Sequence, residues 1–232
     1  MQSAADSGNL LFTDEYKRAL EKASYEIVGN HSAIEICGWT KKGIRTGSEG
    51  CYKQKFYGIR SHQCTQMTPA AVACDQKCVY CWRVNEMFSG KQDLMEQAHD
   101  NPADIVQGSI DAHLHKLSGF GGNPSIDRQK FEESLTVRHF AISLTGEPTL
   151  YEQLPEMLRE LRTRGISSFL VTNGLPPEMI ERLRDEDSLP TQLYVSMDAP
   201  DAKTWKKIDV PLLPDYWERV IHTLDLLDGL ET

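Results

Sequence analysis

No stretch of this 232-residue sequence is apolar for long enough to span a bilayer. Its longest hydrophobic runs, such as Ser168-Phe169-Leu170-Val171, are only strand-sized. The start, Met1-Gln2-Ser3-Ala4-Ala5-Asp6, lacks the basic and apolar regions of a secretory signal. Positive charge is also scarce, and a formal net charge of −9 excludes a protein that coats nucleic acid through an overall basic surface. Repeats and low-complexity tracts are missing, which removes solenoids and disordered linkers. Finally, no cysteine occurs outside Cys37 to Cys81. These absences predict a cytoplasmic globular protein with a single core, in which a disulfide scaffold is excluded by the reducing compartment.

What is present is concentrated chemistry. Six cysteines fall into two triplets, and the second has the spacing Cys74-x-x-x-Cys78-x-x-Cys81. Three thiolates are one short of the four that a cubane iron-sulfur cluster accepts, so one iron is left open to a small molecule. An aromatic residue, Tyr80, stands directly before the third cysteine, as in enzymes that bind S-adenosylmethionine at that iron. The alternative is a structural zinc site, which usually requires four protein ligands in close pairs.

Hydrophobic patterning changes near residue 67. Beyond it, short apolar runs alternate with turns and helical stretches, the grammar of βα units and a parallel sheet. Strands are predicted near 68–73, 140–144, 167–172 and 192–197, and helices near 102–117, 126–135, 150–163, 177–184 and 214–228. Before residue 67, a helix fits 13–28, and residues 30–66 read as loops and short helices tied by a shared ligand. Two segments follow: 1–66, an N-terminal helix with cluster-binding extension, and 67–232, the α/β sheet. Each predicted strand runs into a polar turn: the Cys74 loop, Thr145-Gly146-Glu147-Pro148, Thr172-Asn173-Gly174, and Ser196-Met197-Asp198. In parallel α/β folds this carboxyl edge is where ligands bind. His99, His113, His115 and His222 read as surface residues.

Charge is unevenly distributed. Between residues 41 and 62 the bases Lys41, Lys42, Arg45, Lys53, Lys55 and Arg60 face a single acid, Glu49, and are interleaved with Tyr52, Phe56 and Tyr57. That mixture suits a phosphate backbone and an unstacked base, although a solvated loop has the same composition.

The Cys74/Cys78/Cys81 triplet with Tyr80, followed by Gly146-Glu147-Pro148, resembles the radical S-adenosylmethionine superfamily, whose fold is a full or partial (β/α) barrel. The stretches Cys51 to Cys64, Cys81-Trp82-Arg83 and Leu144 to Tyr151 further resemble its wybutosine-forming branch, the tRNA 4-demethylwyosine synthases. The resemblance implies condensation of N1-methylguanosine in phenylalanine tRNA with two carbons of pyruvate. It implies a 4Fe-4S cluster on Cys74, Cys78 and Cys81, with S-adenosyl-L-methionine held by the Tyr80 backbone, Thr145, Gly146, Glu147, Asn173 and Ser196. Glu147 would accept from the methionine ammonium, and Gly146 would allow close backbone approach. A second 4Fe-4S cluster would sit on Cys37, Cys51 and Cys64. Thirteen residues separate the first two of these and twelve the last two, one more in the first gap than is usual in the family.

In the same resemblance Lys53 is the lysine that forms a Schiff base with pyruvate, a role its basic surroundings suit. Lys41, Lys42, Arg45, Lys55 and Arg60 become contacts for tRNA. The family's further strands are not found after residue 228, so the barrel is expected to be incomplete at its carboxyl end. With no flavodoxin-like domain, the archaeal form is implied, with electrons from an external flavodoxin- or ferredoxin-type donor. Two other readings remain: another radical enzyme with an auxiliary cluster, and a non-catalytic RNA-binding module stabilised by iron-sulfur or zinc.

Overall fold

The computed structural model describes residues 11–47, 50–84 and 92–230. Its frame is a six-stranded sheet in sequential order: β1 (Glu26–Val28), β2 (Ser32–Glu35), β3 (Cys64–Thr68), β4 (His139–Ile142), β5 (Ser167–Thr172) and β6 (Gln192–Val195). From β3 to β6 all pairings are parallel, as in an open (β/α) barrel, whereas β1, β2 and β3 pair antiparallel. The helices are α1 (Asp14–Lys22), α2 (Gly38–Thr46), α3 (Tyr52–Tyr57), α4 (Pro102–Ser118), α5 (Arg128–Ser134), α6 (Leu154–Thr163), α7 (Pro177–Asp185), α8 (Ala202–Ile208) and α9 (Tyr216–Leu227).

Alternation along the strands divides the sheet's two faces. Met67, Phe140, Ile142 and Leu170 are fully buried on the outer face, in one cluster with Ile105 and Val106 of α4 and Met157, Leu158 and Leu161 of α6. Cys64, Gln66, Ala141, Ser143, Phe169 and Val171 line a cavity on the inner face. The outer face therefore makes the core and leaves the inner face open for chemistry. Local caps fix the helix starts: Asn101 accepts from the Ala103 amide with Pro102 in the first turn, and Asp127 accepts from the Lys130 amide.

Several expectations are corrected. The helix expected over 13–28 stops at Lys22, because Ser24 takes a left-handed conformation (φ 66°) and the amides of Ser24 and Tyr25 return to the carbonyls of Glu21 and Leu20. This is a Schellman end built on serine in place of the usual glycine. The chain then forms β1 and β2, so the described residues hold six strands where four were expected. The first parallel strand lies at 64–68, not 68–73, and crosses the point where the two segments were divided. The strands expected at 140–144 and 192–197 end at Ile142 and Val195. Helix α8 was not anticipated. His113 is fully buried, on the α4 stripe with Val106, Ser109 and Leu117, while His99, His115 and His222 are exposed.

Candidate active site

The loop after β3 carries Cys74, Cys78 and Cys81, and a distant segment clamps its backbone. The Val79 amide donates to the Ile208 carbonyl (2.8 Å), the Lys77 amide to Asp209 (3.2 Å), and the Leu212 amide to the Asp75 carbonyl (3.0 Å). The three sulfurs border a cavity of about 170 Å³. Tyr80, Thr145, Gly146, Glu147, Asn173 and Ser196 all line it too, so the six residues expected to hold S-adenosylmethionine are brought together.

The local reasons for some of these residues differ from expectation. Gly146 has φ +76°, and a Cβ there would lie 1.8 Å from the Ala70 carbonyl oxygen. The close approach it permits is to the chain's own turn before Cys74. Glu147 Oε1 accepts from the Thr149 amide (3.1 Å), the Thr149 hydroxyl (2.5 Å) and the Thr172 hydroxyl (2.8 Å), while Oε2 accepts from the Asn173 amide (2.9 Å). Its carboxyl is thus engaged by the protein itself. Asn173 Nδ2 donates to Asp75 Oδ1 (2.5 Å), tying the end of β5 to the cysteine loop. Burial pushes Glu147 up to about 7, reinforced by the nearby Asp75 charge, and burial pushes Asp75 up to about 6. The Tyr80 hydroxyl lies between Asp198 (2.7 Å) and Asp209 (2.5 Å), with one proton to donate to either carboxylate.

A second cavity, of about 600 Å³, lies on the inner face beside the first. Cys37, Cys51, Cys64 and Lys53 line it together. Cys37 is the N-cap of α2, with its sulfur accepting from the Thr40 amide; Cys51 is the N-cap residue of α3; Cys64 opens β3. Two hydroxyls knit these elements: Thr40 donates to the Ser61 carbonyl (3.2 Å), and Ser61 accepts from the Cys51 amide (3.2 Å). Lys53 lies in the first turn of α3, its ammonium 4.3 Å from the Phe169 ring centre.

The donor sets fit clusters better than a single ion. All six thiols are free. Burial pushes Cys64 and Cys78 up to about 12 and Cys74 well up, so these sulfurs become thiolates when a metal supplies the compensating charge. Among the described residues no three His, Cys, Asp or Glu side chains crowd together closely enough to hold one ion. Each triplet rings a cavity instead, an arrangement that suits a larger group.

The expected RNA contacts are less unified. Of the five bases, Lys42 alone borders the larger cavity; Lys41 and Arg45 border a separate hollow with Phe120 and Asn123. Arg60 lines a hollow with His139 and Ser167 at the amino ends of the strands, 4.0 Å from Glu133. Lys55 is exposed, and Glu49 lies outside the described residues.

The model of the radical SAM superfamily matches residues 69–228. The chain belongs to the radical SAM superfamily. Over 218 residues it is 47% identical to the S-adenosyl-L-methionine-dependent tRNA 4-demethylwyosine synthase of Pyrococcus horikoshii, covering 94% of this chain and 63% of that protein. The Homo sapiens enzyme of that name is 41% identical over 217 residues, 94% of this chain and 29% of the relative. The chain thus spans less than two-thirds of the length of these relatives. Among solved structures, one of TYW1 with a lysine-pyruvate adduct bound superposes with a TM-score of 0.83 at 35% identity, covering 95% of this chain and 70% of that one. An archaeal TYW1 crystal structure gives 0.73 at 32% identity with the same coverage.

Membership implies S-adenosylmethionine and one 4Fe-4S cluster. Sequence reasoning missed several groups in this radical SAM site. Asp75, Asp198 and Asp209 orient the cysteine loop and Tyr80; the first two lie in strand-end turns the sequence pointed to, but their contacts, and Asp209 altogether, were missed because they meet only through tertiary structure. Glu35, Trp39 and Gln66 line the larger cavity for the same reason.

Proposed function

We propose that this radical SAM chain carries 4-demethylwyosine synthase activity, joining N1-methylguanosine of phenylalanine tRNA to two carbons of pyruvate. The observation that carries the reading is the meeting of two cavities. The one at Cys74, Cys78 and Cys81 and the one at Cys37, Cys51, Cys64 and Lys53 share Arg83, Ser143 and Val171 in their walls. The TYW1 relative with a lysine-pyruvate adduct supports Lys53 as the amine that condenses with pyruvate.

In this reading the two 4Fe-4S clusters, when bound, supply reductive cleavage of S-adenosyl-L-methionine at one centre and a docking site for pyruvate at the other. Tyr80, Thr145, Gly146, Asn173 and Ser196 orient S-adenosylmethionine, with Glu147 bracing their turns from beneath. Lys53 attacks the pyruvate ketone and, losing water, holds the whole three-carbon keto acid as an imine, from which the carboxylate carbon leaves only in a later carbon-carbon cleavage. Phe169, its ring centre 4.3 Å from the Lys53 ammonium, holds the amine at the cavity wall. Lys42, Lys41, Arg45, Lys55 and Arg60 serve the phosphates of the tRNA. Six free thiols and oxygen-sensitive chemistry suit the reducing cytoplasm, with an external flavodoxin- or ferredoxin-type donor. No helix among the described residues is long and apolar enough to cross a membrane.

The test is anaerobic reconstitution, iron counting, and borohydride trapping with pyruvate. Two clusters per chain and a trapped adduct that disappears in Lys53→Ala are expected, along with tricyclic product from N1-methylguanosine tRNA. One cluster, no adduct and RNA binding without turnover would establish a metal-stabilised binding module instead.

A further inference from the structure

Trp82 and Arg83 follow the last cysteine of the loop and have no role in the reading so far. Arg83 belongs to both cavities. Its guanidinium is held from three sides: Nη1 donates to the Tyr25 hydroxyl (3.1 Å) and to Glu35 Oε2 (3.3 Å), and Nη2 to the Ser143 carbonyl (3.5 Å). With its side chain 11% exposed, it is a fixed planar cation. Trp82 is its opposite. The residue is 78% exposed, the most open of the large hydrophobic residues in the described chain, and still lines the larger cavity. The Arg83 carbon Cζ lies 3.7 Å from the centre of its indole ring.

An indole backed on one side by an immobile cation, and left free elsewhere, is a platform for another π system. Its position selects which one. A methyl group activated at the smaller cavity and then joined to a carbon held at Lys53 must lie over the shared floor of Ser143 and Val171. The base that carries this methyl group then extends beside Arg83, against Trp82. We infer that Trp82 stacks on the target purine of the RNA substrate, with Arg83 as its fixed support. This rests on the tRNA reading above and assigns that substrate a residue of this chain. Trp39 is the competing ring. It is 50% exposed in the same cavity with Lys42 5.3 Å from its centre; neither indole lines the smaller cavity, but the cation against Trp82 is Arg83, which borders both cavities, whereas Lys42 borders the larger one alone.

The experiment uses the reconstituted chain and an anticodon stem-loop with 2-aminopurine at the target position. Binding is followed by anisotropy from a terminal dye, and stacking by quenching of the 2-aminopurine. The wild type is expected to quench, with quenching kept in Trp82→Phe and Trp39→Ala and lost in Trp82→Ala and Trp82→Leu. Removing one stacked base should weaken binding roughly 5- to 150-fold. Iron per chain, measured on every variant, separates loss of the ring from loss of the neighbouring cluster. Undiminished quenching in iron-loaded Trp82→Ala, or its loss in Trp39→Ala alone, would overturn the assignment while leaving the tRNA reading intact. A wild-type protein that does not bind the stem-loop would sink both.

Discussion

Cys74, Cys78 and Cys81 come from eight consecutive residues, whereas Cys37, Cys51 and Cys64 come from two helix caps and the first residue of a strand. Both sets surround a cavity, but they depend on different parts of the molecule. The contiguous loop is held by the segment 208–212, by Asn173, and by the close contact at Gly146. The dispersed set depends on packing of α2, α3 and β3 through Thr40 and Ser61. A local motif thus relies on distant supports, while a dispersed one relies on its neighbours. The two sites should therefore fail separately.

The strongest test of that separation is a pair of cysteine variants. Cys78→Ala is expected to reduce 5′-deoxyadenosine formation to background. If the proposed reading holds, Cys51→Ala should lower iron per chain and abolish tricyclic product while retaining RNA-independent cleavage of S-adenosylmethionine. Iron analysis and chromatography of the nucleoside check both, and loss of cleavage in both variants would show one cooperative centre. Next in size are the two glycines. Gly146→Ala faces backbone at 1.8 Å with φ +76° and should cost more than about 4 kcal/mol. Gly47→Ala, at the end of α2 with φ +62°, meets only the movable Asp127 carboxylate and should cost about 1–3 kcal/mol. Thermal melting of both variants sharpens the contrast between a rigid seat and a yielding one.

Acid should act through the helices that cover the N-terminal half of the sheet. Burial pushes His113 down to about 4 from an ordinary 6.5. The unfolded chain therefore binds the extra proton between pH 6.5 and 4. Stability is fully present above 6.5 and falls as pH drops through that window, by about 3 kcal/mol in all. His139, pushed down to about 4 by burial, adds a slope of the same sign. His113→Leu should flatten part of the acid limb, as read from urea midpoints at pH 7 and pH 5; an unchanged limb would remove His113 from the account. The smallest effect belongs to Asp127→Ala, which uncaps α5 and should cost about 1 kcal/mol.

Much of the parallel half was legible in the sequence. Strand β5 lies where its apolar run places it, and α4 and α7 start at Pro102 and Pro177 as their turn signals require. The antiparallel strands were not read. β1 and β2 are three and four residues long, and the serine that ends α1 carries none of glycine's signal. Gly29-Asn30 between them is the turn cue that was available. At the candidate site, the cysteines, Lys53 and the polar strand-end turns were legible through the motifs, but Glu35, Trp39 and Gln66 and the hydrogen-bond partners were not. Whether Glu147 faces a ligand or braces its own turn depends on Thr149, Thr172 and Asn173 converging from two strand ends, which spacing alone does not encode.

Strand β3 has a consequence for how such a protein can change over time. It begins with Cys64, is followed five residues after its end by the turn to Cys74, and is held in register by β2 on one side and β4 on the other. Its residues alternate between cavity and core, with Cys64 and Gln66 on one side and Met67 on the other. Deleting one residue would turn Cys64 into the hydrophobic core and bring an apolar side chain to the cavity. Deleting two would preserve facing and only shorten the span between the two cysteine triplets. Within the strand, length can therefore change in even steps alone, and the parity of one short strand keeps Cys64 turned toward the cavity while odd changes fall to the turn after Thr68.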